Sequence, residues 1–141
     1  KNVKNNGYSD RVEIHNVGAW DKSEMKAMPP CAPPYVQTFI QCKPVDDIVA
    51  GRKIDFIKMD CDGPEPKIVR GLEKTFQNNP QLKMVCEYYP KYQRDAGLDP
   101  AEFREVIDKY FQIEIVPGDY SENCWNLFCI RSNNAKNVWP E

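Results

Sequence analysis

Lys58-Met59-Asp60-Cys61-Asp62-Gly63-Pro64-Glu65 gathers three carboxylates and a lysine into eight residues, and Glu87 ends a second apolar run further along the chain. Such a concentration of charge is costly unless it is solvated, paired or used. One use is a carboxylate-based metal or hydrolase site at Asp60, Asp62 and Glu65, whose oxygen donors suit magnesium. The structural alternative needs no chemistry. Asp62 caps the following helix, Glu65 favours its positive N-terminus, and Lys58 pairs with a neighbouring carboxylate. Spacing alone favours this structural alternative.

The elements that carry these residues follow from periodicity. Ile54, Phe56, Ile57 and Met59 form an apolar run broken only by Lys58, which predicts a strand covered on both faces. Pro64 sits near the first position of a helix, where its missing N–H costs nothing, and Ile68, Val69, Leu72 and Phe76 give that helix one apolar stripe. Lys83 to Tyr88 is a second buried strand, followed by a polar loop through Pro90 and Gly97. Asp99-Pro100-Ala101-Glu102 starts a helix striped by Phe103, Val106, Ile107 and Tyr110. Phe111 to Ile115 and Trp125 to Ile130 form an antiparallel hairpin around a turn at Pro117-Gly118-Asp119, and Arg131 to Glu141 reads as a loose tail.

Upstream, Asn5, Asn6 and Gly7 read as a helix end and turn. Alternation over Arg11 to Val17 predicts a strand that includes His15. Asp21 to Pro34 reads as a loop, Tyr35 to Cys42 as a strand and Pro44 to Val49 as a helical turn. The order predicts an α/β sheet, parallel in its centre and antiparallel at the C-terminal hairpin, with ligands bound outside the carboxyl ends of its strands. That rule singles out Asp60, Asp62, Glu65 and Glu87.

Composition narrows the classes. The 141 residues suit one domain, and the net charge of −2 is spread without a basic stripe, against nucleic acid or anionic membrane as partner. No apolar run spans a membrane. Cys31, Cys42, Cys61, Cys86, Cys124 and Cys129 form no C-x-x-C pair, which predicts free thiols in a reducing, cytoplasmic compartment. With His15 the only histidine, no zinc site is expected.

Ile54-Asp55-Phe56-Ile57-Lys58-Met59-Asp60-Cys61-Asp62-Gly63-Pro64-Glu65, with Ile68-Val69-Arg70-Gly71 after it, resembles the FkbM family of methyltransferases. The family hallmark is a strand of the form I-D-x-x-K-x-D-x-E-G-x-E leading into a helix x-x-V-L-x-G. Asp62 departs from the usual glutamate by one methylene. The resemblance extends to Asn2 through Gly7, to Val12 through Asp21 as a third strand, to Val45-Asp46-Asp47-Ile48 as an L-D-D turn, and to Val85-Cys86-Glu87 as a fifth strand. It implies a class I Rossmann-like sheet of order 3-2-1-4-5-7-6, with helices on both faces, and methyl transfer from S-adenosylmethionine to an oxygen of a small molecule, sugar or lipid. It further implies that Val17, Gly18 and Ala19 lie near the adenine, and that Asp60 sits closest to the methyl and acceptor. Glu87 and Asp62 then orient or deprotonate the acceptor, Lys58 neutralises them and joins Asp60 among the cofactor-binding residues, and no metal takes part.

The glycines stand singly, with no G-x-G turn to hold the cofactor. Residues 1–141 therefore read as one partial methyltransferase domain lacking its first strands, with weak or absent cofactor binding and no activity alone. A non-catalytic Rossmann-like binding or assembly module is the alternative. Without those first strands, the edge of the Ile54 strand is expected to be closed by the Val12 strand or by a second copy in a homodimer.

Overall fold

The two apolar runs that end in carboxylates are neighbours in space. In a computed structural model that describes residues 1–28, 37–116, 123–133 and 135–140, the chain forms seven strands and six helices. Helix α1 (Asn2–Asn5) precedes a three-stranded sheet of β1 (Gly18–Trp20), β2 (Glu24–Met28) and β3 (Thr38–Pro44). Helix α2 (Val45–Val49) leads on to β4 (Phe56–Met59), α3 (Glu65–Arg70), α4 (Glu73–Asn78) and β5 (Lys83–Tyr88). Then come α5 (Pro90–Asp95), α6 (Pro100–Tyr110), β6 (Phe111–Ile115) and β7 (Trp125–Arg131).

The second sheet has the order β4-β5-β7-β6, the first the order β1-β3-β2. β4 and β5 are parallel, while β7 is antiparallel to both β5 and β6. The parallel pair and the C-terminal hairpin are as expected, and the order is that implied for these four strands. The single sheet is not. β1 pairs parallel with β3, and β2 antiparallel, in a separate sheet.

Cross-strand register explains where the core sits. Ile57, Met84, Cys129 and Ile113 share one face, as do Met59, Cys86 and Leu127. Ile68 and Val69 from α3, Leu72 just before α4, Phe76 from α4, and Phe103, Val106, Ile107 and Tyr110 from α6 bury that face. Phe76 meets Phe111 edge-on at 5.0 Å, and full burial of such a side chain stabilises by about 1.5–3 kcal/mol. The opposite face carries Phe56, Lys58, Val85 and Phe128, none of them buried. Helices on both faces were expected, but no described helix buries this second face. β4 alternates accordingly, with Phe56 55% exposed and Met59 in the core, so the strand is covered on one side rather than two. Its outer edge bonds to no described strand.

Four further expectations are corrected. Arg11 to Val17 is not a strand: Val12 and Ile14 are exposed, so alternation without a partner has nothing to bury. The Val12 segment therefore does not close the β4 edge. The span read as a loop from Asp21 contains β2, which gains its ladder from β3. The stripe from Ile68 to Phe76 is two helices. The break falls at Gly71, where a Cβ would collide with the Trp20 carbonyl, so glycine is what lets β1 approach this closely. Asp46 then accepts from the Lys74 and Thr75 N–H groups at 3.0 and 2.8 Å, capping α4 from another helix and giving the L-D-D turn its physical role. The polar loop after Tyr88 contains α5, supported by Pro90 in its first turn and a Lys91–Asp95 pair at 2.6 Å.

The described residues after β7 are also tied down. Asn137 accepts from Ile113 N–H and donates to Asp108 and the Phe111 carbonyl, and Trp139 donates to Asp108 at 3.0 Å. They line α6 and β6 instead of hanging loose. The turn read at Pro117-Gly118-Asp119 and the thiol of Cys31 lie outside the described residues. The other five cysteines are free thiols, and no described helix is long and apolar enough to cross a membrane.

Candidate active site

A strand that ends in a charged residue must turn that charge toward water or toward a partner. After Met59 the chain leaves the core through Asp60 and reverses at Asp62 and Gly63, with φ values of +57° and +124°. The second lies where only glycine is comfortable, and a Cβ there would come within 2.8 Å of the Tyr92 carbonyl oxygen. The turn therefore packs directly under α5, and glycine is required twice over.

Glu65 builds this turn. Its carboxylate accepts from the Cys61 N–H at 3.0 Å and from the Gly63 N–H at 2.9 Å, and its side chain is buried with only 2% of the residue exposed. Burial pushes its pKa up, and the hydrogen bonds from its own backbone and from those two amides pull it partly back. Both oxygens are engaged in holding the backbone. Glu65 thus drops out of the metal or hydrolase set of Asp60, Asp62 and Glu65.

The carboxylates that do converge are Asp60, Asp62 and Glu87, with one oxygen from each lying within 4.8 Å of the others. They come from the carboxyl ends of two adjacent parallel strands, with Met59 paired to Cys86 just before them. Lys58 stands beside them, its Nζ 2.9 Å from Asp60 Oδ2, in a pair exposed enough for water to weaken it. The all-oxygen set is the donor type of magnesium or calcium. With Asp60 and Asp62 exposed, water alone can carry their charge.

Cys124 is the residue that sequence reasoning missed. Its thiol donates to Glu87 Oε1 at 3.1 Å. Burial, that hydrogen bond and the three nearby carboxylates push its pKa up to about 12, so it stays a neutral donor. No spacing signal joins it to Glu87, because the contact is made only when β7 lies beside β5. Val17, Gly18 and Ala19 are not brought to the carboxylates. Gly18 and Ala19 pair with β3 in the other sheet, and β1 meets α3 at Gly71, the end of the helix away from Asp60. That helix is six residues long, a span of about 9 Å.

The geometry can favour a cation or an electron-poor centre, accept a proton, and orient a hydroxyl. Comparison with known proteins gives it a context. Residues 3–113 match the methyltransferase FkbM domain. The crystal structure of a methyltransferase FkbM from Methylobacillus flagellatus KT superposes with a TM-score of 0.60 at 17% identity, covering 91% of this chain and 31% of that one. This likeness speaks for the fold, and the chain spans under a third of that protein's length. No curated protein sequence matches significantly. The match over residues 3–113 covers most of the chain, with the acidic turn and Glu87 inside it: this protein belongs to the FkbM methyltransferase family.

Proposed function

We propose that this chain is the acceptor-side part of an S-adenosylmethionine-dependent methyltransferase domain that methylates an oxygen of a small molecule, sugar or lipid. The observation that carries the reading is the convergence of Asp60, Asp62 and Glu87 at the carboxyl ends of β4 and β5. Bound S-adenosylmethionine supplies a methyl carbon made electrophilic by its sulfonium. The carboxylate cluster fits that positive charge, and Asp60 is assigned to the acceptor, where it orients the hydroxyl and takes its proton as the oxygen attacks. Glu87, held by Cys124, and Asp62 orient the acceptor, and Lys58 tempers the summed negative charge. Val17, Gly18 and Ala19 keep their assignment beside the adenine only if the domain's remaining strands bring β1 toward the cofactor.

With its glycines standing singly, the chain alone is expected to bind S-adenosylhomocysteine weakly or not at all and to be inactive. Calorimetric titration giving a micromolar dissociation constant would contradict that. In a protein that joins this segment to a glycine-rich strand-turn-helix, Asp60→Asn should lower kcat about 10²–10⁴-fold, the range for a positioned general base, with a smaller loss for Glu87→Gln. Unchanged methyl transfer from radiolabelled S-adenosylmethionine in Asp60→Asn would reduce Asp60 to a turn residue. The free thiols support a reducing, cytoplasmic setting.

The second reading, an assembly module, is favoured by one observation, the outer edge of β4, which pairs with no described strand and stands beside exposed Phe56. A dimeric mass together with full activity in Asp60→Asn would select it.

A further inference from the structure

On the helix-covered side of β5, away from Glu87, a cavity of about 870 Å³ opens between α5, the start of α6 and the start of β7. Tyr88 lines it. The residue is 1% exposed, and among the described residues its hydroxyl makes no hydrogen bond, yet the hydroxyl is not sealed in the core and keeps access to water. Its ring is fixed by stacking on Phe103 at 5.6 Å and by contact with Trp139 at 5.0 Å. Arg94 and Arg104 also line the cavity, and neither forms an ion pair among the described residues. Both act on the Tyr88 phenol: burial raises its pKa, the two guanidinium groups lower it, and Asp99 raises it. Asp99 is the one carboxylate among the described lining residues, and it is already used in capping α6 through the Ala101 N–H at 2.8 Å. Trp125 and Trp139 supply aromatic wall.

We propose that this cavity is a second binding site, separate from the carboxylate cluster, for a small ligand that carries a carboxylate or phosphate on a ring. Arg94 and Arg104 hold the anion as charge-assisted donors, the Tyr88 hydroxyl completes its hydrogen bonds, and the ring lies against Trp125 and Trp139. The chain is net negative, so two guanidinium groups with no ion pair among the described residues, beside a hydroxyl that water can reach, are a local exception that selects anions. The site stands on the opposite face of β5 from Glu87, so it does not depend on the methyl-transfer reading.

Two of the three tryptophans line the cavity, which provides the readout. Benzoate and phenyl phosphate are titrated into the chain while tryptophan fluorescence is followed. Saturable quenching with a dissociation constant below about 1 mM is expected for at least one of them, and the tighter of the two identifies the anion. Benzyl alcohol, the neutral analogue, should bind at least tenfold more weakly. The Arg94→Gln/Arg104→Gln double variant should weaken binding at least tenfold and Tyr88→Phe severalfold, with melting temperatures confirming that both fold. Trp20→Phe, remote from the cavity, should leave the quench intact. Equal binding of benzyl alcohol, or an unchanged dissociation constant in the folded double variant, would overturn the proposal.

Discussion

The Cys124 thiol donates to Glu87 Oε1 at 3.1 Å, joining the start of β7 to the carboxyl end of β5 beside Asp60 and Asp62. This contact makes the cysteine a sensor of the charge at the site. With its pKa pushed up to about 12, Cys124 should resist iodoacetamide at pH 8, since the thiolate is the reacting species. Glu87→Gln removes the largest charged contribution and should shift the alkylation profile of Cys124 to lower pH, read by peptide mass spectrometry. An unchanged profile would show that burial alone protects the thiol. The linkage sign agrees. A pKa raised on folding contributes stability present below the unfolded thiol value and lost as pH climbs toward 12.

Gly63→Ala should destabilise the domain by about 1–3 kcal/mol, because alanine at φ +124° is strained and its Cβ meets the Tyr92 carbonyl. Thermal melts of the variant and the parent measure it. An equal melting temperature would mean that α5 yields freely, and the turn would then not be rigid enough to position Asp60.

This turn also shows what was legible in the sequence. The strand, the acidic turn and the α6 stripe are set by neighbours within a few residues, so periodicity and the family pattern located them and brought Asp60, Asp62 and Glu87 onto one end of the sheet. What escaped depends on distant backbone. The break between α3 and α4 falls at Gly71, where the Trp20 carbonyl leaves no room for a Cβ, and β2 gains its ladder from β3. Arg11 to Val17 has the alternation of a strand but pairs with no described strand. Glu65 resembled Asp60 in type and proximity, yet two backbone amides make it structural.

Asp46→Ala should cost about 1–2 kcal/mol, the range for losing a helix cap, since α4 would keep no side chain on the Lys74 and Thr75 amides. Chemical denaturation gives the value. Asp46→Asn, which keeps an accepting oxygen, should recover part of it. A loss no smaller for Asn than for Ala would show that the charge, and not the cap geometry, is what matters.

Acid stability has an identifiable contributor. Glu102 accepts from Lys67 at 2.9 Å and Arg70 at 3.2 Å, linking α6 to α3, and the Lys67 hydrogen bond leads the causes that hold its pKa below 4.5. A depressed carboxylate pKa contributes stability that is present above the unfolded value and lost as pH falls through the folded one. Glu102→Gln should therefore lower the melting temperature at pH 7 while flattening its decline below pH 4.5. Parallel melting curves for the variant and the parent across that range would remove Glu102 from the account. The pair is partly solvated, so the effect at pH 7 should stay within about 1 kcal/mol.

The last prediction concerns the outer edge of β4. Its main-chain groups face no described strand, and Phe56 stands 55% exposed beside them with no proline to block pairing. An unprotected strand edge is a template for another strand, and each main-chain group buried without a partner would cost about 1–3 kcal/mol. The Arg11 to Val17 segment does not supply the missing ladder, which leaves a second copy of the chain as the occupant we expect. Related by a two-fold axis, two β4 strands would pair antiparallel and join the two sheets into one. Sedimentation equilibrium of the 141-residue chain should then report a dimer mass at micromolar concentration. Phe56→Glu places a like charge on both copies at that edge and should weaken the dimer at least tenfold without lowering the monomer's helical content. A monomer mass for the unaltered chain at all concentrations would mean that water satisfies the edge.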